Sequence, residues 1–371
     1  IGRTFDETHE AVQKFESSPH TSSLFSIVYH LGKLAMDEFF NGKDREISFS
    51  STLRQRVGHH VYGELWANAI KSVLFEAGLI ERPIHIISAN LHSVTNTIYG
   101  HQALGLNSFE EIEKVAMDIS TGAKVNKGKE IWNFALKNGL IEVHDTSGTN
   151  INVQLIDTAK MSHDSLIPGV KIAKEDKKKP VILIMDYAFG EQAFETIDEL
   201  LKPYKDEKNK TFLNVESVSI MGKAGILQGG KGDIMIPSAH INEGTADNYP
   251  FENELTAEMF EGNDIPVYAG PMVTVLGTSL QNKDLLKFFH ESTWEVIGLE
   301  MEGAYYQKAI QSASKIRKSI PQDVKVRYAY YASDNPLETG STLASGGLGT
   351  TGVKPTYLIT IKILEQIFNT K

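Results

Sequence analysis

Three short segments of this chain carry residue types that can do chemistry. Gly298-Leu299-Glu300-Met301-Glu302-Gly303-Ala304 places two carboxylates two residues apart at the apparent start of a helix. Tyr331-Ala332-Ser333-Asp334-Asn335-Pro336 puts an aspartate at the apparent end of a strand, and a glycine-rich block runs from Gly222 to Asp233. A carboxylate can accept hydrogen bonds from both hydroxyls of a ribose diol. A methionine such as Met301 can pack its soft side chain against the sugar. An aspartic acid can hand a proton to a departing purine, and general acids of this kind contribute roughly 10² to 10⁴ in rate. Such an acid needs a pKa raised by burial or by a neighbouring carboxylate. Together these groups suit cleavage of an N-glycosidic bond.

Each motif also has an ordinary structural reading. Glutamates are favourable at any helix N-terminus, an aspartate before Asn-Pro suits a turn or cap, and glycines after a strand can form a plain tight loop. Asp233, followed by Ile-Met-Ile, reads as a turn entering a strand. Residues two apart do not share a helix face, so one of Glu300 and Glu302 is expected to point into a site. The glycine block is neither GxxxxGK[ST] nor GxGxxG, so no nucleoside triphosphate or dinucleotide reading follows.

The elements that must position these groups fall into two textures. Residues 1 to about 80 read as helical, with apolar stripes over Ser22–Phe40 and Val57–Leu79, stops at Asn41-Gly42 and Gly78, and no internal repeat. From about residue 82, strands alternate with helices. Strands are predicted at Ile84–Ala89, Ile151–Ile156, Val181–Met185, Val218–Met221, Ile234–Ile236, Val267–Ala269, Val273–Leu276 and Val324–Tyr331. Helices are predicted at Ser108–Ile119, where Ser108 and Glu111 form a capping box, then after Gly190 through Leu201, at Glu302–Ile316 and at Tyr357–Phe368. The charged run Lys174–Lys179 reads as a solvated turn. This alternation predicts an α/β sheet with helices on its faces, whose ligands collect beyond the carboxyl ends of strands. Asn90, Gly222, Thr278 and Asp334 all fall there.

Composition bounds the function. With 371 residues, 41% hydrophobic and 23% charged, the chain is long enough for one large or two medium domains. A formal charge of −10 argues against nucleic-acid binding. The absence of cysteine excludes disulfides, thiolate metal sites and a cysteine nucleophile. No apolar run is long enough to span a bilayer, and no signal peptide is visible. A cytoplasmic protein that binds neither membrane nor nucleic acid is expected. His59, His60, His85, His92, His101 and His144 show no metal-binding spacing, so no metal or cofactor is expected. There is no GxSxG nucleophile motif.

Glu300-Met301-Glu302-Gly303-Ala304 followed by Ser333-Asp334 resembles the signature of the purine and uridine phosphorylase superfamily, which includes methylthioadenosine/adenosylhomocysteine nucleosidases and AMP nucleosidases. Ser219–Gly225 through Gly232-Asp233-Ile234 is similar to that superfamily's strand, glycine turn and Gly-Asp strand start. Ser333–Leu337 and Asn90-Leu91-His92 lean towards AMP nucleosidase. The resemblance covers roughly residues 84–371 and is thin between 95 and 180. It implies a nucleoside-phosphorylase-like mixed sheet flanked by helices, with residues 1–80 a helical N-terminal region and 81–371 the catalytic domain. It also implies Asp334 as the acid at the purine, Glu302 on the ribose hydroxyls and Met301 on the sugar. Gly222, Lys223 and Ala224 would line the ribose and the attacking-water side, with Ser333, Asn90 and His92 as further substrate contacts. The implied partner is a small-molecule purine nucleotide or nucleoside, and the implied assembly is a homo-oligomer built on dimers, up to a hexamer.

Two departures keep alternatives open. Ile220 and Lys223 stand where a phosphorylase is expected to carry an arginine and a small hydroxyl residue, which disfavours phosphorolysis. Residues 88–94 contain no carboxylate to activate water, with His92 the possible substitute. Hydrolysis of AMP is the leading expectation, a phosphate-dependent phosphorylase the second, and a purine-nucleotide sensor without catalysis the third. Tyr249, Phe251 and the Thr278-Ser279 loop are candidates for contact with the base, and residues 340–352 for a lid or phosphate cradle.

Overall fold

The computed structural model describes residues 24–43, 60–162, 165–167, 170–171, 179–206, 209–243, 245, 247–276, 283–338 and 350–368. Lys174–Lys178 of the charged run, the Thr278-Ser279 loop and most of 340–352 lie outside these residues. The chain divides into two compact units, Ile1–Gly58 and His59–Lys371. In the first, helix α1 (Leu24–Asn41) ends where Gly42 takes φ +60°.

The second unit is organised on a ten-stranded mixed sheet. Its centre is built from β1 (Ile84–Ser88), β6 (Val181–Met185) and the long β9 (Val215–Ile226), with β1 parallel to both neighbours. Beyond β6, the antiparallel strands β3 (Val153–Asp157) and β2 (Leu140–Val143) close one edge. Two small hairpins, β4–β5 (Ser165–Ile167, Val170–Lys171) and β7–β8 (Tyr204–Lys205, Lys210–Thr211), stand apart from it.

On the other side of β9 the sheet curls on itself. β9 pairs with β13 (Gly298–Glu300), β13 with β12 (Val267–Thr274), β12 with β10 (Ile234–Asn242), β10 with β14 (Lys325–Asp334), and β14 again with β9. These strands close a ring, a way of removing open sheet edges. β11 (Asn248–Pro250) adds to β10 from outside.

The central strands read as continuous apolar runs because both faces are buried. Along β6, Val181, Leu183 and Met185 enter one core cluster while Ile182 and Ile184 enter the other. The first face is covered by α2 (His60–Glu76) through Trp66, Ile70 and Leu74, by α6 (Gln192–Leu200) through Ala193 and Ile197, and by α8 (Gly303–Gln311) through Tyr306 and Ala309. The second is covered by α3 (Leu91–Leu104), α4 (Phe109–Ser120), α5 (Val125–Lys137) and α9 (Val353–Phe368). A smaller cluster joins Val273 and Leu299 of the ring to Leu286 of α7 (Lys283–Glu291). None of the described helices is long and apolar enough to cross a membrane.

Several sequence expectations change. β12 is one strand where two were expected. The Gly222–Gly225 stretch is not a loop: it is the continuing body of β9, and the turn comes later, where Gly229 and Gly232 take positive φ. Gly229 is obligatory, since a Cβ there would lie 2.6 Å from the ring of Tyr268. Asp233 has the turn role expected of it, its Oδ2 accepting from the Gly230 amide at 2.7 Å. Helices α3, α5 and α7 were not anticipated.

Candidate active site

The site forms where β9 outruns β1. Ser88, the last residue of β1, pairs with Ile220, and beyond it β9 proceeds with β14 and then β13 as partners. The space left above the carboxyl end of β1 is a cavity of about 420 Å³. Met221, Gly222, Lys223 and Ala224 form one wall, and Glu300, Met301 and Glu302 another. Tyr187, Phe189, Tyr306, Tyr330 and Tyr331 supply aromatic walls. Gly222, Lys223, Ala224, Met301 and Glu302 therefore line one cavity.

Glu300 and Glu302 have different work. Glu300 is not on a helix: it ends β13 and is 2% exposed. Its Oε2 accepts from the Glu302 amide at 2.5 Å and also from the Gly303 amide, and its Oε1 accepts from the Thr274 hydroxyl. Thr274 Oγ1 accepts in turn from the Ala304 amide at 2.9 Å. A strand carboxylate and a strand threonine thus satisfy the orphan amides at the start of α8. The helix-face argument for choosing one glutamate fails, since a strand precedes α8 and both residues line the cavity. What separates them is commitment to the helix.

Glu302 is the N-terminal boundary residue of α8 and makes no side-chain cap. Its Oε1 accepts from the Gly190 amide at 3.0 Å. Burial first, then the neighbouring Glu300 charge, push its pKa up to about 7, against the opposing effect of the backbone amides of Gly190 and Met301. Below the pair, His240 is fully buried with Nδ1 3.3 Å from Glu300 Oε1, and Phe251 stacks on its ring at 5.2 Å. Phe251 is thus core packing rather than a base contact, and Tyr249 pairs with His240 on the ring's outer strand β11.

Ser333 and Asp334 belong to β14 itself rather than to a following turn. They stand beside the cavity wall and are not among its lining residues. Asp334 is in register with Gly225, and Ser333 Oγ lies 3.1 Å from the Ala224 carbonyl. Asp334 is 8% exposed. Its Oδ1 accepts from the Ser333 hydroxyl at 2.5 Å, whereas Oδ2 is buried with no hydrogen-bond partner among the described residues. Burial raises its pKa, opposed by the Ser333 hydroxyl and by the charges of Lys223 and Lys231.

Asn90 and His92 are not in this cavity. Asn90 caps α3, its Oδ1 accepting from the His92 amide at 2.9 Å, and the helix carries both residues into a second cavity of about 720 Å³. Tyr331 lines both cavities. His92 therefore does not face the Glu302 cavity in the way a water-activating substitute would.

The sequence reading missed Ser88, whose hydroxyl meets Tyr306 at 2.8 Å, and the Gly190 amide that holds Glu302. The tyrosine-rich run 328–331 was the available signal for the aromatic wall, to which Tyr330 and Tyr331 contribute while Tyr328 packs in the core.

No curated protein matches the chain. Among solved structures it is similar to the methylthioadenosine/adenosylhomocysteine nucleosidase of Campylobacter jejuni, at 11% identity and a TM-score of 0.46, over 78% of this chain and 100% of that one. It is similar also to the native futalosine hydrolase of Helicobacter pylori, at 10% identity and a TM-score of 0.46, over 79% and 100% of the two chains. A further match is a putative methylthioadenosine nucleosidase from Weissella paramesenteroides, at 12% identity and a TM-score of 0.45, over 76% and 98%. Residues 120–369 match the model of a family of unknown function, DUF6909, and with more than half of its length so matched the chain belongs to that family.

Proposed function

We propose that the protein is a purine N-glycosidase that hydrolyses the bond between a purine and ribose, with AMP as its substrate. The observation that carries this reading is the placement of two carboxylates, Glu302 half-buried and Asp334 buried, against one strand, β9. Glu302 faces the cavity walled by Gly222–Ala224, and Asp334, with an unpartnered oxygen, sits in register with the next residue, Gly225.

In this reading Glu302 accepts the ribose hydroxyls, the aromatic walls shield the substrate from bulk solvent while admitting the attacking water, and Asp334 donates its proton to N7 of the purine. The electrons of the C1′–N bond pass to the base, which leaves neutral. Water oxygen bonds C1′ and releases its proton to solvent. Water is favoured over phosphate as nucleophile because no arginine lines the Glu302 cavity among the described residues, and guanidinium groups are the usual bidentate partners of phosphate oxygens. AMP is named from the likeness of Ser333–Leu337 and Asn90–His92 to AMP nucleosidases.

The test is release of adenine from AMP by the purified protein, with adenosine, inosine and methylthioadenosine alongside and Asp334→Asn as control. Turnover without added phosphate, abolished in the variant, supports the proposal. No base released from any of the four, or release that requires phosphate, overturns it.

A further inference from the structure

The larger cavity has no role in the chemistry above. It adjoins the Glu302 cavity at Tyr331 and is lined by the start of α3, the end of α4, one face of α5 and the start of α9. The α5 contribution is regular. Val125, Gly128, Lys129, Trp132 and Asn133 recur at the three- and four-residue spacing of a single helix face, while Ile131 and Ala135 turn into the core.

Its polarity is unusual for this chain. The protein carries a formal charge of −10, yet no aspartate or glutamate is among the residues lining this cavity, which do include Lys129 and His92. Several of the other polar side chains are occupied. Ser93 donates to the Asn90 carbonyl, Thr95 to Gln154, Thr356 to the Gly352 carbonyl and Asn96 to Tyr357. Lys129, Asn133 and the imidazole of His92 make no hydrogen bond to the described residues, so their donors remain available. The first residues of α3 and α9 face the same space, which adds the favourable end of two helix dipoles for negative charge.

We infer that this cavity is a subsite for an oxyanion carried by the substrate, a phosphate or carboxylate on the sugar side of a purine nucleoside. Lys129 is its charge partner and Trp132 its apolar wall. The inference rests on the nucleosidase reading of the neighbouring cavity, and it assigns selection of a charged substrate to a helix outside that cavity.

The experiment measures binding of AMP, adenosine and adenosine 5′-carboxylate by calorimetry to the intact wild-type protein and to Lys129→Glu, a change at an exposed position. Wild type is expected to prefer AMP over adenosine by at least about tenfold, the scale of one charge-assisted contact. Lys129→Glu is expected to bring that ratio to about one or below. The carboxylate analogue tells the two oxyanions apart: a preference matching that of AMP shows that any oxyanion is accepted, and a preference for AMP alone narrows the subsite to phosphate. Failure of wild type to bind AMP, equal affinity for AMP and adenosine, or a preference that survives Lys129→Glu overturns the inference. Base release is scored separately. Binding that follows this pattern without turnover would count against the nucleosidase reading and leave the subsite standing.

Discussion

The carboxylate of Glu300 accepts a hydrogen bond from the backbone amide of Glu302 at 2.5 Å. The buried end of a strand thereby fixes the first turn of α8 and, with it, the position from which Glu302 reaches the cavity. Two glutamates separated by one methionine are thus a support and the group it supports. Glu300→Ala should act on folding, because it leaves the Glu302 and Gly303 amides and the Thr274 hydroxyl without their acceptor, at about 1–3 kcal/mol for a buried group left unsatisfied. Denaturant unfolding would show it as a lower midpoint. Glu302→Gln should leave that midpoint equal or higher while reducing base release at least about 10²-fold, in the range of a lost transition-state contact. A Glu302→Gln protein as unstable as Glu300→Ala would contradict this division.

Glu302 also predicts how stability depends on pH. Its pKa in the folded protein is about 7, above the ordinary glutamate value of 4.5. A carboxyl whose folded pKa is raised binds its proton more tightly in the native state. The native state is therefore favoured below about pH 4.5 and loses that advantage as pH rises towards 7. Between those limits the loss from this one group is at most about 3 kcal/mol. Replacing Glu302 with glutamine, which keeps an oxygen for the Gly190 amide, should raise stability near pH 8 and have little effect near pH 4. Unfolding free energies of the two proteins across this range check it, and parallel curves would show that Glu302 does not titrate in that window.

Catalysis should carry the mark of the other carboxylate. The Ser333 hydroxyl donates to Asp334 Oδ1 at 2.5 Å and favours the charged form, while burial favours the neutral acid. Ser333→Ala removes the group that holds the pKa down, so the Asp334 pKa should move higher. The alkaline limb of kcat/KM for AMP should then move to higher pH. Asp334→Asn should lose roughly 10² to 10⁴ in rate, the usual contribution of a general acid. An unmoved alkaline limb in Ser333→Ala would remove Asp334 from the acid role.

Much of this architecture is legible in particular residues, and the misses have physical causes. Val181–Met185 is apolar without interruption because both of its faces are covered, and the Ser108–Glu111 capping box marks a real helix start, with Ser108 Oγ accepting from the Glu111 amide at 3.3 Å. The Glu111 carboxylate reaches back to the Asn107 amide. Helix α3 was not legible, since Ser93, Thr95, Asn96 and Thr97 are all buried along with Val94 and Ile98, which leaves no polar face to reveal a helical period. That helix is what sends Asn90 and His92 to the second cavity. The ring of strands depends on β14 pairing with both β9 and β10, a contact between distant segments that local pattern does not encode. The same ring makes Glu300 the end of a strand, where local pattern suggested a helix.

Gly303, the first residue of α8, gives a steric test of the whole arrangement. It is buried, and a Cβ built on it would collide with the imidazole of His240 and lie 2.8 Å from Glu300 Oε1. His240 has no room to retreat, packed as it is against Phe251 at 5.2 Å and Tyr328 at 4.7 Å. Gly303→Ala should therefore displace the start of α8 in spite of alanine's better helix propensity, which would stabilise by roughly 1 kcal/mol if the space were open. The expected result is a net loss of about 1–3 kcal/mol, typical of overpacking a close-packed core, together with reduced base release as Glu302 moves off the cavity. The double variant Gly303→Ala/His240→Ala removes the obstacle and should recover part of the stability. A single variant that is more stable than wild type would show that His240 and Glu300 do not close on Gly303, and the support assigned to Glu300 would fail with it.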